Sequence, residues 1–147
     1  MKLTACSLLL AASSALAAPA LTLTARGGAL TLTDFTARAS AQSRTSAISF
    51  TLEDAANYPD DTPTDCQLIW GPNGGLPNEN ACGNDQYLVR FANGQPSISG
   101  FTLEFERVSG PVAQQGSVTV EESDEYTCAY SQGVETCTHS VPIFVPV

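Results

Sequence analysis

Strict alternation of apolar and polar side chains over short runs is the feature that most limits what this chain can become. Ile48, Phe50 and Leu52 alternate with Ser49, Thr51 and Glu53, and Phe101, Leu103 and Phe105 alternate with Thr102, Glu104 and Glu106. Successive side chains of a strand point to opposite faces, so a period of two marks strands with one face buried and the other in water. Further strand-like runs lie at 21–24, 30–36, 66–70, 87–91, 117–121, 126–131, 135–138 and 141–145. Turn-forming groups separate them: Gly27-Gly28, Gly71-Pro72-Asn73-Gly74-Gly75, Asn93-Gly94, Gly110-Pro111 and Gln132-Gly133. No window of helical length keeps a 3.6-residue period. The pattern predicts an all-β domain, a compact antiparallel β-barrel or β-sandwich. The copies Ala20-Leu-Thr-Leu-Thr-Ala25 and Ala29-Leu-Thr-Leu-Thr-Asp34 read as a hairpin or as two adjacent edge strands.

The N-terminus predicts the compartment. Lys2 precedes an apolar stretch at 3–12, and Ala15-Leu16-Ala17 followed by Ala18-Pro19 supplies the small residues a signal peptidase requires. Residues 1–17 are expected to be removed as a signal peptide, with Ala18 as the alternative cut, leaving 18–147 as a single secreted domain. No later segment reaches the roughly 20 apolar residues that cross a bilayer. The formal net charge is −9, and loss of Lys2 makes it more negative still. Nucleic acid and anionic lipid would be repelled, so neither is an expected partner.

Discounting Cys6 as part of the signal peptide leaves Cys66, Cys82, Cys128 and Cys137. An even set in an export route implies two disulfides, which four cysteines can form in three ways. Cys128 and Cys137 are equidistant from Gln132-Gly133. In a two-residue hairpin they face each other at a non-hydrogen-bonded position, where α-carbons approach to about 4.5 Å, within reach of a disulfide. A three-residue loop with a bulge would shift that register. Cys66 and Cys82 flank the Gly- and Pro-rich segment 71–80, which a second local bridge would staple. Sequential pairing is therefore expected; a zinc site would want closer Cys-x₂₋₄-Cys spacing.

Signals for catalysis are sparse. A serine hydrolase needs a base, and the lone His139 has no Gly-x-Ser-x-Gly elbow to serve. Glu104 and Glu106 project two acids from one strand, as a glycosidase would require, but alternation places them on the solvent face. Asp54, Asp60, Asp61 and Asp65 crowd the polar loop 54–65 in an order unlike an EF-hand, so neither a metal nor a cofactor is expected. Trp70, Tyr126 and Tyr130 share parity with core positions. Tyr58, in the acidic loop, is the best candidate for an exposed aromatic, and Tyr58, Asp60 and Asp61 are the candidate ligand contacts. Asn-x-Ser/Thr is absent, and Asn80-Ala-Cys82 is a weak exception.

The order of Leu32-Thr-Asp-Phe-Thr-Ala37, Ile48-Ser-Phe-Thr-Leu-Glu-Asp54, the run from Cys66 to Trp70, Cys82, a strand ending at Phe91, Phe101-Thr-Leu103 and a late cysteine pair resembles the Alt a 1-like (AA1-like) family. These are small secreted proteins of filamentous fungi, of mould-allergen and plant-defence-elicitor type. The resemblance implies an antiparallel β-barrel or sandwich with two sequential local disulfides. It also implies a non-catalytic interaction protein of effector or elicitor type, binding a host extracellular protein or a small phenolic ligand. A carbohydrate module that binds wall polysaccharide is the alternative. The family's allergen carries an additional N-terminal cysteine that joins two subunits, and no cysteine lies between Ala18 and Asp65 here, so a monomer or a non-covalent dimer is expected.

Overall fold

The computed structural model describes residues 28–71, 81–94, 96–111 and 113–147. Its elements are β1 (Ala29–Ser40), β2 (Thr45–Glu53), β3 (Thr64–Trp70), β4 (Tyr87–Phe91), β5 (Gly100–Arg107), β6 (Gln115–Glu121), β7 (Tyr126–Ser131), β8 (Val134–His139) and β9 (Ile143–Pro146). The described residues contain no helix. The proposed signal peptide, the first copy of the Leu-Thr-Leu-Thr repeat and most of the 71–80 segment lie outside the described residues.

Two antiparallel sheets face each other as a sandwich rather than closing into a barrel. The larger runs β3-β2-β1-β8-β7, with β9 also on β1, and the smaller runs β4-β5-β6. β2 occupies one edge of β1, while β8 (opposite Thr36 to Ser40) and β9 (opposite Ala29 to Leu32) share the other in tandem. The second copy of the repeat, which opens β1, thus already has a neighbour on each side. Thr31 and Leu32, paired with β2 on one side and β9 on the other, are not edge residues.

A bulge re-aims β1 halfway along. Leu30 and Leu32 point into the core, but Asp34 takes a left-handed backbone (φ 53) and the register against β2 slips between Thr33 and Thr36. Parity therefore inverts, and Phe35 and Ala37 enter the core while Asp34 stays in water. Phe35 stacks on Phe50 at 5.6 Å and on Phe101 at 6.0 Å, and meets the edge of Tyr126. Trp70 packs edge-on against Phe91 at 5.0 Å. Burying each such ring is worth about 1.5–3 kcal/mol, and ring pairing adds roughly 0.5–1.5 kcal/mol.

Both disulfides form as expected: Cys66 with Cys82, and Cys128 with Cys137. Gln132 (φ 51) and Gly133 (φ 81) make the two-residue turn, and Cys128 faces Cys137 in the register counted from the sequence, their α-carbons 3.9 Å apart. Such bridges are consistent with an extracellular protein. No helix among the described residues is long and apolar enough to cross a membrane.

Candidate functional site

The loop 54–63 is shaped by a buried cation that arrives from the opposite sheet. Arg107 ends β5 with the same parity as Phe101, Leu103 and Phe105, so the strand delivers a guanidinium to the inner face with only 3% of its side chain exposed. A buried charge must be paired. The Arg107 Nη2–H donates to Asp61 Oδ2 at 2.7 Å, Nε–H donates to the carbonyl of Ser109 at 2.7 Å, and Nη1–H donates to the Tyr87 hydroxyl. Tyr87 O–H in turn donates to Asp54 Oδ2 at 2.8 Å, which lies 3.7 Å from Arg107 Nη1. Asp54 Oδ1 accepts from Asn57 Nδ2 at 2.8 Å. Tyr58 closes the cage, its ring centroid 3.4 Å from the guanidinium carbon.

The backbone of the loop folds to suit this cluster. The Tyr58 N–H donates to the carbonyl of Asp54 at 2.8 Å, and the Asp61 N–H to the carbonyl of Tyr58 at 3.0 Å, a turn in which Pro59 holds the second position. Gly110 (φ +94) leaves room for the Tyr58 hydroxyl, which a β-carbon there would crowd at 2.9 Å. Burial pushes the Tyr87 hydroxyl well above its ordinary value, and its bond to Asp54 adds to this more than Arg107 subtracts. Burial works against the charge on Arg107, but the bonds to Asp61 and Tyr87 outweigh it and leave the guanidinium more firmly protonated.

Three candidate contacts thus have different fates. Asp61 faces inward on Arg107, Tyr58 is half-buried as the wall of the cage, and Asp60 is exposed at the tip beside Pro59 and Thr62. The acids of the loop do not converge on one point: Asp54 and Asp61 serve Arg107, and Asp65 accepts from Thr51 at 2.9 Å. The one group of metal-ligand type close enough to share an ion among the described residues is Cys128, Glu135 and Cys137, whose sulfurs are already bonded to each other. Glu104 and Glu106 both lie against Arg90, at 2.8 and 3.5 Å. His139 Nδ1 is 2.8 Å from the carbonyl of Val141, and its ring stacks on Tyr126. Trp70 and Tyr126 are core residues, whereas Tyr130 is 69% exposed.

A second surface feature lies on the outer face of β1, β2 and β3. Asp34 at the bulge, Ser49, Thr51, Asp65 and Gln67 line an open groove of about 560 Å³, walled by the Cys66–Cys82 bridge and Gly83. Hydroxyls, carboxylates and an amide line it together with the apolar Phe50 and Ala81, and its volume falls in the range of small-molecule sites.

Arg107 and the groove were not among the candidate residues named from sequence. Parity carried a signal for the first: in Phe101-x-Leu103-x-Phe105-x-Arg107 the arginine continues the buried face. A core arginine demands nearby acids, and 54–61 supplies them. No family model matches this chain, and neither a curated protein nor a solved structure does so.

Proposed function

We propose that this chain is a secreted, non-catalytic interaction protein of the fungal effector or elicitor type, and that it contacts a host extracellular protein through the tip of loop 54–63. The carrying observation is the Arg107 cage. It fixes an otherwise irregular loop to a disulfide-stapled sandwich and leaves Ala55, Ala56, Pro59, Asp60 and Thr62 facing solvent. Ordering a loop before it meets a partner removes part of the entropy cost of association. The tethering of Glu104 and Glu106 by Arg90, and of His139 by Val141 and Tyr126, also favours recognition over turnover.

The test is infiltration of leaves with purified, disulfide-intact protein, reading ion leakage and reactive oxygen, alongside capture of partners from plant extracellular fluid. The variant Asp60→Arg combined with Ala56→Arg alters the tip and leaves the cage untouched. Lost response and lost capture at unchanged thermal stability would support the loop as the contact. Full response from that variant would remove the loop from consideration.

The groove beside Asp34 supports a second reading, binding of a wall polysaccharide. Silence in several hosts, together with retention on an insoluble glycan that Asp65→Asn abolishes, would favour it.

A further inference from the structure

The larger sheet ends at β7, and nothing among the described residues pairs with the outer edge of that strand. In a two-residue hairpin the hydrogen-bonded pairs alternate outward from the turn, so Ser131, Ala129 and Thr127 aim their N–H and C=O groups at β8. The bond from Ser140 N–H to the carbonyl of Glu125, at 2.8 Å, continues the same phase. Cys128 and Tyr130 therefore direct their backbone groups away from the sheet. Those of Tyr126 face the same way but are occupied: its N–H donates to Ser123 Oγ at 3.1 Å and its carbonyl accepts from Ser123 N–H at 3.0 Å.

Proteins guard such edges with charge, proline, bulges or a covering segment. The outer edge of β3 is covered where Gln67 N–H donates to Ala81 and Gly83 N–H donates to Asp65. β4 carries Arg90, and β6 runs against β9 through Gly116. β7, Tyr-Thr-Cys-Ala-Tyr-Ser, has no charge, no proline and no bulge.

We propose that β7 pairs antiparallel with β7 of a second copy about a two-fold axis at Ala129, joining the two larger sheets into one. This register uses the open groups. Cys128 and Tyr130 of one copy exchange both N–H···O bonds with Tyr130 and Cys128 of the other, and the occupied groups of Tyr126 are not called upon. A register centred on Cys128 would require them. Side chains agree with the same register. The smallest residue of the strand, Ala129, meets itself on the outer face, flanked by Thr127 opposite Ser131 with hydroxyls to share. On the inner face, beyond the cover of the smaller sheet, the 69% exposed ring of Tyr130 comes to rest against the partner copy's half-buried Cys128, so two copies cover what one leaves in water. The acids at 121–125 meet the uncharged Gln132-Gly133 turn rather than each other, which lets a strongly acidic chain self-associate. The pairing does not depend on what loop 54–63 contacts.

Sedimentation equilibrium of the disulfide-intact protein tests this. The wild type should shift from monomer to dimer between about 1 and 100 µM, the range of a small interface. Tyr130→Pro deletes one outward N–H and leaves the β7–β8 ladder whole; Ala129→Lys sets two like charges across the axis. Each should remain monomeric at the highest concentration with an unchanged circular dichroism spectrum. If Tyr130→Pro does not fold, Ala129→Lys decides alone, because its side chain is exposed. Phe144→Lys, at the other large exposed ring, should dimerise like the wild type. A wild type that stays monomeric, variants that dimerise normally, or loss of dimer only in Phe144→Lys would each overturn the proposal, as would a β7 edge that takes up an extended foreign peptide while the chain stays monomeric.

Discussion

Arg107 lies over the ring of Tyr58, its guanidinium carbon 3.4 Å from the centroid, and together with the ion pairs to Asp61 and Asp54 this contact fastens a loop at the end of β2 to a strand of the opposite sheet. Among the described residues the cation is also the sole neutralising partner of buried Asp54 and half-buried Asp61.

Removing that cation should cost more than removing the whole cluster. Arg107→Met leaves the Asp54 carboxylate buried without its counter-charge and should destabilise the domain by about 3–5 kcal/mol in urea titrations. Adding Asp54→Asn and Asp61→Asn to it should recover part of the loss. A triple variant less stable than Arg107→Met would show that the acids hold the loop by other means.

Alkali should unfold the domain earlier than its disulfides suggest. The Tyr87 and Tyr126 hydroxyls are both held above the ordinary value, Tyr87 by burial and by Asp54, Tyr126 by burial and by the charges of Glu135 and Glu122. The folded state keeps protons that the unfolded state releases from about pH 10 upward, so stability is complete below that point and falls as pH rises through it. Urea titrations between pH 8 and 11, followed with tyrosinate absorbance, should show the decline, and Tyr87→Phe or Tyr126→Phe should flatten it.

Gln132 occupies a left-handed position that favours asparagine or glycine in a two-residue hairpin turn. Gln132→Asn should raise stability by about 0.5 kcal/mol and leave the disulfide register unchanged. A fall in stability would mean that the turn is held by contacts of the glutamine side chain.

Gly116 lets β6 pass against β9. A β-carbon there would collide with the carbonyl oxygen of Pro146 and press on Val147 at 2.8 Å and Val145 at 3.0 Å. Gly116→Ala should cost about 1–3 kcal/mol and speed amide exchange in β9 more than in β2. Uniform exchange would show that the two sheets move apart as rigid bodies.

The sequence reading succeeded where geometry is local. Alternation located the buried faces, and counting outward from Gln132-Gly133 paired Cys128 with Cys137, because a hairpin register follows from its turn alone. It missed what depends on distant segments. Asp34 breaks the alternation of β1, visible as the polar pair Thr33-Asp34, but the resulting switch of face is apparent only with β2 alongside. The polar loop predicts an exposed Tyr58, yet its half-buried position follows from Arg107, which reaches it from another sheet. Tyr126 and Tyr130 share parity yet differ in fate, because the smaller sheet covers only one end of β7.

The tandem placement of β8 and β9 on β1 sets an order of events for the growing chain. β1 and β2 are joined by a short turn and can zip together as soon as both exist, whereas the other side of β1 waits for residues 134–146. Until they arrive, the strand destined for the middle of the sheet has one row of backbone groups bare. Such long-range closure slows folding, and an open strand invites pairing with a neighbouring nascent chain. For this domain the middle strand stays open on one side until its most C-terminal partners dock.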